Sequence, residues 1–137
     1  MGTTYEEITL KNATDVVNVW RGYIKESEIR EMTLWAVADT GAETLIINET
    51  IQKNLGLRTE NLRYSTLANG EAVSCKVAET VEVHWKDRFM TCQPWVLDGA
   101  GEVLLGAIPL ENMDLMVDPT SQRLVGAHGD QPLGRIR

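Results

Sequence analysis

The chain has 137 residues, with 13 Lys plus Arg against 20 Asp plus Glu and a formal net charge of -7. Its length suits one domain able to bury a useful core, and cations scattered without a basic block make nucleic acid a poor partner, because phosphate binding needs concentrated positive charge. No run approaches the roughly 20 apolar residues that span a bilayer, and the polar start Gly2-Thr3-Thr4-Tyr5-Glu6-Glu7 lacks the shape of a secretion signal, so a cytoplasmic chain with no membrane partner is expected.

Ile8 and Leu10 alternate with Thr9 and Lys11, which predicts an opening strand before a turn region at Asn12-Ala13-Thr14-Asp15. Val16, Val17, Val19, Trp20, Tyr23 and Ile24 favour a strand by side-chain type, yet their spacing also permits a short helix or an irregular excursion. Residues 29–38 read as mostly extended and present Asp39 at a strand end. Asn48 is placed to cap a short helix from Glu49 to Leu55, with Gly56 stopping it in a left-handed conformation. Arg58 through Tyr64 leads toward a strand. Asn69-Gly70 then predicts the tight turn of a hairpin over residues 66–76, because both residues tolerate positive φ.

Val73, Cys75 and Val77 alternate, and Val81, Val83 and Trp85 alternate again with Glu82 and His84 on the other face. Lys86-Asp87 turns the chain into residues 89–93. Trp95-Val96-Leu97 precedes a break at Gly99-Ala100-Gly101, after which Val103-Leu104-Leu105 reads as a short buried strand. Pro109 suits the first turn of a small helix over Leu110 to Asn112, and Leu115 to Val117 and Leu124-Val125 close the compact region. Many short strands with one or two brief helices predict an all-β, barrel-like domain over residues 1–126. Residues 127–137 lack an apolar period and predict a flexible C-terminal tail.

Asp39-Thr40-Gly41-Ala42 follows the apolar run Leu34-Trp35-Ala36-Val37-Ala38, and the chain has no second Asp-Thr-Gly or Asp-Ser-Gly. A carboxylate, a hydroxyl and a glycine at a strand end suit the activation of water. That chemistry normally uses two carboxylates, so a partner chain is expected to supply the other. No internal repeat provides it within the chain.

These four residues resemble the active-site loop of retroviral-type, or retropepsin-like, aspartic proteases. Val103-Leu104-Leu105-Gly106 resembles the paired apolar residues and glycine that the family places later in its chain. Thr66-Leu67-Ala68-Asn69-Gly70 is similar to the start of the flap in small bacterial and archaeal relatives, and Met113 to Pro119 resembles the end of their domain. The matches span residues 33–126. They imply an acid-protease half-barrel, a homodimer with an Asp39/Asp39′ dyad, an extended peptide or unfolded protein segment as substrate, and neither cofactor nor metal. By position, the resemblance makes Asp39 catalytic and Thr40, Gly41 and Ala42 its loop support. Thr40 would fix the loop across the dimer, and Gly41 would allow close approach and unusual backbone angles. Glu43, Leu67, Ala68, Asn69 and Gly70 are the implied substrate contacts, while Leu104, Leu105 and Gly106 form a structural motif.

The flap lacks the Gly-Gly pattern of viral members, and Ala107-Ile108-Pro109 stands where many of them have Gly-Arg-Asn or Gly-Arg-Asp. A weak or inactive peptide-binding homologue is the alternative reading, since a fold does not guarantee turnover. An interaction domain that lost the cleft is a third. Cys75 and Cys92 read as buried free thiols that adjacent strands would make neighbours. His84 reads as an ordinary strand residue and His128 as tail. Without a His pair or Cys-x-x-Cys, structural zinc is not expected. Trp20, Trp35, Trp85 and Trp95 read as core or interface residues.

Overall fold

A computed structural model describes residues 3–99 and 101–129. Strand β1 (Tyr5–Asn12) buries its even residues, as the alternation of Ile8 and Leu10 requires. Asn12 ends the strand and starts helix α1 (Ala13–Trp20), its side-chain oxygen accepting from Asp15 N at 3.1 Å. The open choice over residues 16–24 thus resolves into a helix through residue 20, followed by Gly22 at φ +81°. Asp15 in turn receives both Nε and Nη2 of Arg30, at 2.8 and 2.9 Å, which ties the helix to the approach of strand β2 (Glu31–Ala38).

Strand β3 (Leu45–Asn48) passes into helix α2 (Glu49–Asn54), where Asn48 accepts from Ile51 N at 2.9 Å and Gly56 takes φ +65°. Both ends of that helix follow the side-chain chemistry expected of them. Strands β4 (Thr59–Thr66) and β5 (Ala72–Ala78) form the long hairpin, and β6 (Val81–Trp85) and β7 (Arg88–Cys92) form a second. At the first hairpin's tip, Gly70 N donates to Leu67 O at 2.9 Å and Leu67 N to Glu71 O at 2.8 Å. Only Gly70 of the Asn-Gly pair has positive φ, +87°. The tip is therefore a turn followed by a left-handed glycine bulge, not the two-residue turn that needs positive φ at both positions.

The chain continues through β8 (Trp95–Leu97), β9 (Val103–Leu105), helix α3 (Ala107–Asn112), β10 (Leu115–Asp118) and β11 (Arg123–Gly126). Helix α3 begins two residues before Pro109, because the missing proline N–H is tolerated anywhere in the unpaired first turn. Nine strands form one sheet in the order β4-β5-β8-β3-β9-β2-β1-β6-β7, and β10 and β11 form a separate ribbon. The expected barrel is corrected here to an open sheet. Its outer strands β4 and β7 share no ladder, which closure would require. Cys75 and Cys92 are free, but they lie on β5 and β7 and are not neighbours across one ladder. Burial pushes the Cys92 thiol up to about 12.

Ile8, Leu10, Leu45, Ile47, Leu55 and Leu105 are among the fully buried side chains. The ribbon is fastened to β1 through buried Glu6, which accepts from Arg123 Nε at 2.6 Å and Leu124 N at 2.9 Å. Arg88, also buried, donates through Nη1 to Met113 O and Asp114 O at 3.0 and 2.7 Å, and through Nη2 to Gly129 O. Ala127 N donates to Asp114 O at 2.8 Å, and His128 Nδ1 lies 2.7 Å from the Asp114 carboxylate. The rest of the expected tail, residues 130–137, lies outside the described residues.

Candidate active site

Asp39 leaves the end of β2, which pairs in parallel with β9 through Ala36–Val103, Val37–Leu104 and Ala38–Leu105. The ladder extends by one further bond, Asp39 N donating to Leu105 O at 3.0 Å. The carboxylate is half-buried, and its Oδ1 accepts from Gly41 N at 2.9 Å. Ala42 N donates to Asp39 O at 3.1 Å and closes the turn. Gly41 has no positive φ, so of the two reasons expected for this glycine the left-handed backbone does not apply and close approach does. A Cβ there would lie 3.1 Å from Asp39 Oδ1 and press on the carboxylate.

The loop then grips the start of α3. Helix N-termini carry N–H groups with no partner inside the helix, and Gly106 at the N-cap has no side chain to offer them. Ala107 N donates instead to Ala42 O at 2.8 Å and Ile108 N to Glu43 O at 3.0 Å. This contact leaves no room beside Gly106, where a Cβ would stand 2.7 Å from Ala42 O and from Thr44 N. Leu105 supplies the carbonyl that anchors Asp39 and is itself fully buried. Leu104 pairs with Val37 and with Ile46, so the Leu-Leu-Gly motif holds the loop through backbone placement and packing.

Two hollows meet at this loop. A cavity of about 330 Å³ is lined by Gly41, Ala42 and Glu43 on the loop side, Ile46 on β3, Leu67, Val73 and Cys75 on the hairpin, and Trp95 and Leu97 on β8. A groove of about 930 Å³ runs on the other side, where Asp39 and Thr40 face Leu110, Leu115, Met116 and Val117. Thr40 is exposed, as are Glu43, Ala68, Asn69 and Gly70. Of the four expected flap contacts, Leu67 lines the smaller cavity, whereas Ala68, Asn69 and Gly70 occupy the hairpin tip. Burial raises the Cys75 thiol, partly offset by the Arg63 charge, which keeps a neutral sulfur in the cavity wall.

Sequence reasoning did not assign Val73, Cys75, Ile46, Trp95 or Leu97 to this cavity. The alternation of Val73 and Cys75 on the hairpin was a usable signal, because side chains two apart share a face. Trp95 carried none, since its place depends on long-range pairing with Ile46 and Val77. Trp85 is core, while Trp20 and Trp35 are 86% and 62% exposed. Among the described residues, no group of three or more His, Cys, Asp or Glu is placed to hold a metal ion.

A family model described as aspartyl protease matches residues 25–108, more than half of the chain, and the chain belongs to that family. It is similar in structure to the retroviral protease-like domain of Ddi1 from Leishmania major. The TM-score is 0.57 at 13% sequence identity, with 96% of this chain and 94% of that chain covered. That likeness shows a retropepsin-like fold. No curated protein sequence matches the chain.

Proposed function

We propose that the protein is a homodimeric aspartic endopeptidase in which Asp39 of each protomer forms one half of a catalytic dyad. The reading is carried by the half-buried Asp39, which lines the larger groove, open to a second copy, while the next residues of its loop, Gly41 to Glu43, line a smaller cavity suited to a substrate side chain. Met116, 47% exposed in the larger groove, supplies apolar surface for that copy to cover. Thr40 at the same edge is available to bond across the two-fold axis.

Two carboxylates brought together share one proton, because mutual repulsion separates their titrations. The ionised Asp39 takes a proton from water as the oxygen attacks the scissile carbonyl carbon. The protonated partner donates toward the carbonyl oxygen, giving a tetrahedral diol. Collapse of the diol breaks the C–N bond while the dyad delivers a proton to the departing amine. Leu67 and the hairpin beyond it cover an extended peptide, and Glu43 stands beside its path. Ala68, Asn69 and Gly70 at the tip offer backbone hydrogen bonds to that peptide. The two free thiols accord with a cytoplasmic location.

Mass spectrometry of peptide mixtures incubated with the wild-type chain and with Asp39→Asn tests this reading, alongside sedimentation of both. Cleavage by the wild type alone, in a dimer and unaffected by chelator, is expected. Equal cleavage by both proteins rejects Asp39 catalysis. Peptide binding without cleavage from acidic to neutral pH identifies a binding homologue instead.

A further inference from the structure

We infer that the outer face of the sheet, where β2, β1, β6 and β7 lie side by side, is a docking surface for an extended basic segment of a partner protein, with Trp35 and Glu7 together holding an arginine. This does not depend on the endopeptidase reading.

Strand pairing builds the face. Glu7 stands opposite Trp35 across the β1–β2 ladder, and Thr9 stands opposite both Thr33 of β2 and His84 of β6, which in turn faces Phe89 of β7. Alternation turns the intervening Ile8, Leu10, Val83 and Met90 into the core, so these partners share the solvent side. Their placement is braced. The Thr9 and Thr33 hydroxyls lie 2.8 Å apart, the His84 ring stacks on Phe89 at 5.1 Å between centroids, and His84 Nε2 lies 2.8 Å from Glu82 Oε1. Trp35 and Phe89 nevertheless remain 62% and 58% exposed. Large rings held outward on one braced face suit contact with another molecule.

Charge selects the occupant. The Glu7 carboxylate has no hydrogen-bond or ion-pair partner among the described residues, and the Trp35 ring stands beside it. A guanidinium satisfies both, stacking flat on the indole while its N–H groups donate to the carboxylate; a lysine ammonium has no planar face to stack. Glu7 and Trp35 line a hollow of about 450 Å³. Its two cations are already engaged, Arg123 on Glu6 at 2.6 Å and Lys86 over the Trp85 ring at 4.6 Å. Across the face Glu7, Glu31 and Glu82 outnumber Lys11, and the whole chain carries -7. An acidic segment, a phosphate chain and a second copy are all disfavoured by that sign. Trp35 and Phe89 are three strand spacings apart, roughly 15 Å, which an extended chain covers in about five residues. An apolar residue that far from the arginine would rest on Phe89.

The probe is a synthetic peptide with one arginine and one leucine five positions apart among serines and threonines, titrated into the isotope-labelled full chain carrying Asp39→Asn and followed by nuclear magnetic resonance. The Trp35 indole N–H and amides of β1, β2, β6 and β7 are expected to shift. Trp35→Ala and Glu7→Gln should each weaken binding about five- to tenfold without lowering the unfolding temperature, and Trp35→Phe, which keeps a ring, should recover part of the loss. Citrulline in place of arginine removes the charge and should weaken binding by a similar factor. Shifts confined to the Asp39 loop and the long hairpin, unaltered affinity in both variants, or no binding at all overturn the inference. So does conversion of a dimer to monomer by Trp35→Ala in sedimentation, which would assign the face to a second copy. Because no readout involves turnover, failure here and failure of the peptidase reading are distinguishable.

Discussion

Ala42 and Gly106 approach so closely that a Cβ on Gly106 would lie 2.7 Å from the Ala42 carbonyl oxygen. The same carbonyl accepts the first N–H of α3 from Ala107 at 2.8 Å. Loop and helix thus locate one another through backbone atoms, which cannot step aside as a flexible side chain would. Gly106→Ala is expected to cost about 1–3 kcal/mol through overpacking. Urea unfolding should show a lower midpoint with an unchanged slope, and any peptidase activity should fall with the displaced loop.

Asp39→Asn retains an oxygen that can accept from Gly41 N. Its stability should stay within about 0.5 kcal/mol of the parent, while peptide turnover falls by at least about 10²-fold as the general acid–base pair is lost. Thermal unfolding and single-turnover cleavage on the same preparation check both halves. A large loss of stability would make the carboxylate structural.

Gly41→Ala places a methyl group 3.1 Å from Asp39 Oδ1 without requiring positive φ. The carboxylate must turn, so turnover should drop with little change in unfolding temperature. Gly70→Val acts differently, because Gly70 holds φ +87° and has open space around it. There the cost is backbone strain of about 1–2 kcal/mol, expected as faster amide exchange in β4 and β5. Gly70→Asn should recover part of the loss.

Burial pushes the Glu6 carboxyl upward, but hydrogen bonds from Arg123, Leu124 N and Trp85 outweigh it and hold the group below its ordinary 4.5. A carboxylate lowered on folding stabilises the native state above its unfolded value, and that contribution is lost as pH falls through the folded one. Stability should therefore decline as the pH drops below about 4.5. Glu6→Gln should flatten that part of the profile in urea titrations while lowering stability at neutral pH. An equally steep acid decline in the variant would assign it to other groups.

Features written in adjacent residues were the legible ones. Asn48 and Gly56 bracket α2 because cap chemistry acts over three or four residues, and Asn69-Gly70 marks a hairpin tip for the same reason. The Asp39 motif was equally visible, as were the strands with clear alternation. Helix α1 was ambiguous because its valines and tryptophan favour extended structure, and the Asn12 cap decides the matter. The open sheet was not legible, since strand patterns do not reveal whether the first and last strands meet. Nor was Trp95 as a cavity wall. Its face follows from a parallel pairing with Ile46 across the intervening hairpins, and no local sequence signal encodes that register.

The buried guanidinium of Arg88 bears on where this domain can be cut. One of its nitrogens donates to the Gly129 carbonyl, three residues past the last strand. Trimming at Gly126 looks harmless on a diagram of strands, yet it would strip an acceptor from an enclosed cation and release the latch between Ala127 and Asp114. A fragment meant for fusion or crystallisation should therefore extend beyond Gly129, and one ending at the strand should be less soluble and melt earlier.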